Sequence, residues 1–173
     1  MKNYFKGTTT HPQHISVGAI LMNDKDEICS HHFNSKEFNF KGYWKDEGLD
    51  DFYLLMRKTV ESDETLEMTL YRGLLEEFGA EAEIVDYIGS IQSYFKNKGS
   101  DTEIQKTTLY FLCKLRNQDL SRRGTGDVEF ESQLEWHPAG FLIPKMKEQS
   151  ARYGRTDIDE SQILERLKTL NSV

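Results

Sequence analysis

RKTVESDETLEMTLYRGLLEEFGA, residues 57–80, decides the fold. Its apolar positions recur at helical spacing, predicting a helix over about 65–78. Ser62 or Asp63 suits the start as a cap, Glu64 and Glu67 suit the positive end of the helix dipole, and Gly79 stands where a left-handed C-terminal cap belongs. At about 100° per residue, Leu70, Tyr71, Leu74, Leu75 and Phe78 share one side, while Thr69, Arg72, Gly73, Glu76 and Glu77 fall roughly opposite. Arg72 and Glu76 form an i,i+4 pair that can steer the carboxylate. Two adjacent carboxylates are more than one arginine neutralises. Hard oxygen donors of this kind select Mg²⁺, Mn²⁺ or Ca²⁺ over zinc. A solvated helix face laced with ion pairs is the plain alternative.

Outward from this helix, strands and turns alternate. Upstream, residues 1–13 read as a polar lead-in, 15–22 (ISVGAILM) as a buried strand, 23–26 as a reversal and 27–33 (EICSHHF) as a returning strand. Residues 34–51 read as a long loop whose Phe38, Phe40, Tyr43 and Trp44 suit either stacking on a base or packing over the sheet. Residues 52–56 form a further apolar run. Downstream, 84–95 and 107–115 are β-branched and aromatic enough for strands. Residues 119–131 read as a mobile loop, 134–136 as a short strand, 141–149 as a short helix and 157–170 as a last helix capped by Asp157 or Asp159. The expected class is α/β, in one domain spanning 1–173.

Composition narrows the partners. The 173 residues carry 22 basic and 29 acidic side chains, for a net charge of −7, so there is no basic field to gather long nucleic acid. No apolar stretch reaches the roughly 18 residues of a membrane span, and the N-terminus lacks a secretory apolar run; a cytoplasmic protein is expected. Cys29 and Cys113 have no CxxC spacing and read as small buried thiols. The pairs His11/His14 and His31/His32 lack a third ligand at useful spacing and read as polar surface. Monomer and homodimer both fit. A small phosphorylated ligand fits if a cation or local basic patch offsets the acidic balance.

The ordered set Glu64, Arg72, Leu74, Glu76, Glu77, Gly79 and Ala80 resembles the signature box of the Nudix hydrolases, at the family's spacing. The apolar run with Gly18 and the downstream FESQLEW resemble the family too. Two positions depart: Lys58 stands where the box has its first glycine, and Gly73 where it has the glutamate after the arginine. LLMRKTVESDET and IQKTTLYFL look like segments of the branch that cleaves dinucleoside polyphosphates or diphosphoinositols, keeping only the basic character at Arg57 and Lys106.

The resemblance implies an α/β/α sandwich with a mixed sheet and hydrolysis of a diphosphate linkage in a nucleoside diphosphate derivative, with Mg²⁺, or Mn²⁺ in its place, as cofactor. By position, Glu76 and Glu77 would hold the metal with Glu61 as an outer contributor. Arg72 and Glu76 would serve catalysis, and Arg57, Lys58 and Lys106 would grip phosphate oxygens. Gly73 removes a carboxylate. Glu131 is the first candidate to replace it and Glu129 the second, with Asp127 in the same loop. Two functions therefore stand: a working pyrophosphohydrolase with a rearranged base, for which glutamate at 73 should raise the rate and Glu77→Gln abolish it, or a nucleotide-binding protein with little turnover.

Overall fold

The structure is a computed structural model that describes residues 2–37, 40–96, 100–126 and 128–170. Seven strands, β1 (Gln13–Met22), β2 (Glu27–Phe33), β3 (Phe52–Leu54), β4 (Met56–Thr59), β5 (Ala80–Lys96), β6 (Glu103–Gln118) and β7 (Gln133–Pro138), form one sheet. The main order is β3-β2-β1-β6-β5, with β4 paired to β1 and β7 to β2. β1 runs parallel to β6, from Gln13↔Gln105 to Met22↔Lys114, and antiparallel to β2 and β4. The sheet is therefore mixed.

Four helices cover it: α1 (Tyr43–Asp46), α2 (Leu66–Phe78), α3 (Ala139–Tyr153) and α4 (Ser161–Leu170). Side chains alternate across a strand, so Val17, Ala19 and Leu21 of β1 pack with Leu70, Leu74 and Phe78 of α2, while Ile20 packs with Leu142, Met146, Ile163 and Leu164 of α3 and α4. That is the expected α/β/α layering. Burial of each large apolar side chain in these layers is worth about 1.5–3 kcal/mol. A third cluster joins Phe33, Phe40, Trp44, Leu49, Phe52 and Ile158. Both cysteines are buried and unpaired, and among the described residues no helix is long and apolar enough to cross a membrane.

Several expectations are corrected. The cap of α2 is Thr65, whose hydroxyl accepts from the Met68 amide at 3.1 Å; neither Ser62 nor Asp63 takes that place. Gly79 does close the helix, at φ 62°. The buried stripe of α2 is Thr69, Leu70, Gly73, Leu74, Glu77 and Phe78, whereas Tyr71 is 41% exposed. The helix is rolled so that its polar Glu77 faces the sheet. Residues 34–51 contain the helical turn α1, and the loop over 119–131 carries two 3₁₀ turns, Leu120–Arg122 and Val128–Glu131. The last helix is divided: a 3₁₀ turn at Thr156–Ile158 precedes α4, whose Ser161 amide bonds to Asp159. His31 and His32 are buried because β2 is paired on both edges, by β3 and β7.

Candidate functional site

Alternation along β4 supplies the first half of the site. Met56 and Lys58 face α2, and Arg57, one residue out of phase, faces the C-terminal helices. Helix α2 supplies the second half, with Arg72, Glu76 and Glu77 on consecutive turns of the face that meets β4. Between them lies a cavity of about 470 Å³ lined by Arg57, Lys58, Glu61, Arg72, Glu76, Glu77 and Lys106, all anticipated from sequence, together with Glu129, His14, Asp157, Tyr43, Trp44 and Phe95.

Glu131 is not part of this cavity. It lines a separate depression with Phe40 and Phe130, and its carboxylate accepts the Lys41 amide at 2.6 Å. The 3₁₀ turn presents alternate residues in different directions, which brings Glu129 inward and leaves Glu131 outside. Asp127 and Phe38 lie outside the described residues. Phe40 packs in the aromatic cluster.

Arg72 grips Glu64 with two parallel bonds, Nε to Oε1 at 2.6 Å and Nη2 to Oε2 at 2.7 Å, and also donates to the Thr59 carbonyl at 3.1 Å. Its i,i+4 approach to Glu76 is longer, 3.5 Å. These bonds from Arg72 hold Glu64 down from the ordinary 4.5 to about 2. Because the folded value is depressed, this contribution to stability is present above pH 4.5 and is lost as pH falls toward 2. We predict that Glu64→Gln lowers the urea midpoint at pH 7 and makes its decline between pH 5 and 2 shallower than in the parent; parallel declines would refute this.

The residues that hold Glu77 were not foreseen. His31 Nε2 meets Glu77 Oε2 at 3.0 Å and His31 Nδ1 meets Ser132 Oγ at 2.6 Å. Burial pushes His31 down to about 3, so the ring is neutral, and an ionised Glu77 requires the proton on Nε2. Arg123 donates to the Glu77 carbonyl at 2.7 Å and the Glu129 carbonyl at 2.9 Å, pinning the 3₁₀ turn to the end of α2. Within the loop expected to be mobile, the described residues Arg123 and Glu129 are thus tied to the end of α2. Burial, then the Glu77 charge, raises Glu129. The sequence signal for this network was a pair of histidines in the strand EICSHHF, residues 27–33.

Lys106 is pushed down to about 7 by burial first and the Arg57 charge second, and His14 to about 4 by burial, then Lys106 and Lys6. Arg57 is anchored from below by Glu160 at 3.7 Å and donates to the Asp157 carbonyl at 2.6 Å. Trp44, 7% exposed, has an indole N–H with no hydrogen-bond partner among the described residues.

Lys58 Nζ stands 2.9 Å from Glu76 Oε2 and 3.8 Å from Glu77 Oε1. A magnesium ion keeps several of its waters and is held by one or two carboxylates, so what bears on its fit here is whether this pair is free to face it. Here the two carboxylates already share an ammonium and position 73 offers no third. Among the described residues no three His, Cys, Asp or Glu side chains are grouped to hold an ion. The donor set does not fit the magnesium expected from the resemblance.

A family model described as NUDIX domain matches residues 12–156. Among solved structures, a Nudix hydrolase from Nitrosomonas europaea aligns with TM-score 0.59 at 14% identity, over 90% of this chain and 88% of that one. The E. coli ORF135 protein aligns with TM-score 0.54 at 20% identity, over 95% and 94%. A structure titled UDP-X diphosphatase aligns with TM-score 0.55 at 16% identity, over 91% of this chain and 63% of that one. No curated protein matches.

Proposed function

The chain belongs to the Nudix family, and from that premise we propose that its cavity binds a small nucleoside diphosphate derivative, as a binding protein with little turnover. The observation that carries this reading is the meeting of Arg57, Lys58 and Lys106 with Tyr43, Trp44 and Phe95 around one cavity. Cations there suit phosphate oxygens, and aromatic faces suit a base. The indole N–H of Trp44 adds a buried donor with no partner among the described residues.

Little turnover follows from the charge pattern. Water attacking a diphosphate must be oriented and deprotonated while negative charge on phosphorus is offset. Glu76 and Glu77 face an ammonium, and Gly73 has no side chain to act as base. A second reading, a pyrophosphohydrolase with a displaced base, is favoured by Glu129, a carboxylate of the same cavity raised toward the neutral range by burial.

The experiment is calorimetric titration with ADP and ADP-ribose beside a product assay with magnesium present. Saturable binding without product supports the binding reading. Multiple turnovers lost in Glu129→Gln would establish the second. Affinity should also depend on pH. Lys106 loses its proton near pH 7 and an anionic ligand favours the ammonium, so affinity falls between pH 6 and 8. His14, near 4, stays neutral throughout, while Arg57 stays charged. Lys106→Gln should flatten the profile.

A further inference from the structure

We propose that the Lys58 ammonium is the resident cation of the Glu76–Glu77 pair, so that this site receives a phosphate ligand without a divalent ion. The inference rests on the diphosphate-binding reading only for its ligand; its cation stands on the geometry of the pair.

The ammonium is 2.9 Å from Glu76 and 3.8 Å from Glu77; the Lys58 side chain is 13% exposed, that of Glu77 1% and that of Glu76 38%. Glu77 presents Oε1 to Lys58 and Oε2 to His31, so both of its oxygens are engaged. Arg72 is committed first to Glu64, which leaves Lys58 as the closest cation to Glu76. A divalent ion placed on these oxygens would stand beside a fixed positive charge, and that repulsion opposes its binding.

The two departures from the family's box are physically one arrangement. A Cβ at position 73 would lie 2.6 Å from Met56 Sδ and 3.1 Å from Lys58 Cβ. The bare glycine is what lets β4 come close enough for the lysine stem to cross the helix and reach both glutamates. Losing the carboxylate at 73 and gaining the ammonium at 58 therefore exchange one cation-binding scheme for another. In the second scheme the positive charge is covalently part of the chain and cannot be chelated away.

The test measures Mn²⁺ alone by paramagnetic resonance on the full chain, as wild type, Glu77→Gln, Lys58→Met and Lys58→Met/Glu77→Gln. Lys58→Met keeps the stem and deletes the charge. The wild type should show no stoichiometric uptake up to roughly 1 mM, the weak end of biological divalent sites. Lys58→Met should bind Mn²⁺ at least about tenfold more tightly than wild type, and the added Glu77→Gln should abolish the gain. Submillimolar uptake by the wild type that Glu77→Gln removes would overturn the proposal, as would a Lys58→Met variant that gains nothing. The wild-type measurement decides even if the variant unfolds. A second arm titrates ADP in EDTA and in magnesium. Equal affinity supports the proposal, and binding that needs magnesium overturns it. If ADP fails to bind in both, the ligand class is wrong and the Mn²⁺ measurement still decides the cation.

Discussion

Glu160→Ala should destabilise the fold by about 3–5 kcal/mol, the range for breaking a buried ion pair from one side. Glu160 is 1% exposed and organises groups from β4, β6 and the residue that joins β3 to β4. It accepts the Leu55 amide at 2.7 Å and the Tyr110 hydroxyl at 2.5 Å, and lies 3.7 Å from Arg57 Nε. Alanine would leave a buried guanidinium without its carboxylate, keeping only its bond to the Asp157 carbonyl, and two buried donors without their acceptor, and each neutral donor alone costs about 1–3 kcal/mol. Burial, the first cause holding Tyr110 well above its usual range, persists without Glu160, so the phenol stays a donor and does not compensate by ionising. Urea unfolding measures the effect; a loss under about 1 kcal/mol would mean that water reaches the pocket and replaces the carboxylate. Ligand affinity should fall as well, because Glu160 holds Arg57 at the cavity floor.

At Gly73 the sign of the effect is the prediction. In an exposed mid-helix position, glycine to alanine stabilises by roughly 0.5–1 kcal/mol. Here the added methyl meets Met56 Sδ at 2.6 Å, Met56 Cε at 3.0 Å and Lys58 Cβ at 3.1 Å, and Met56 is fully buried, so its thioether end would have to shift within the packed core. Overpacking costs about 1–3 kcal/mol and exceeds the propensity gain, so Gly73→Ala should lower the urea midpoint. The combination with Met56→Ala should be less destabilised than the sum of the single changes. A more stable Gly73→Ala would show that Met56 swings aside. Gly73→Glu meets the same atoms, so the rate gain expected from restoring that carboxylate requires space that Met56 and Lys58 already fill.

Much of the site was legible because its chemistry is local. Arg72, Glu76 and Glu77 are placed by helical spacing, and Arg57 and Lys58 lie on the strand just upstream. Tyr71 shows where this reading stops: periodicity marked it as core, but the stripe rolled toward Gly73 and Glu77 once Met56 and His31 supplied partners across space. Glu131 and Glu129 show the same limit, since two acidic residues in one turn look equivalent until Arg123 fixes which of them faces inward.

The sequence by itself determined the α/β class, the position of α2 with its left-handed stop at Gly79, and most of the charged residues that line the cavity, with Asp157 unforeseen there and Glu131 expected ahead of Glu129. These follow from spacing and backbone preferences acting over a few residues. Only the tertiary structure decided what those charges do. The ammonium of Lys58 reaches Glu76 and Glu77, His31 reaches Glu77 across 46 positions, and Glu160 reaches Arg57 from the residue just before α4. Such pairs depend on sheet register and on the missing Cβ at Gly73, and their energies exist only where burial removes the water that would otherwise solvate each charge.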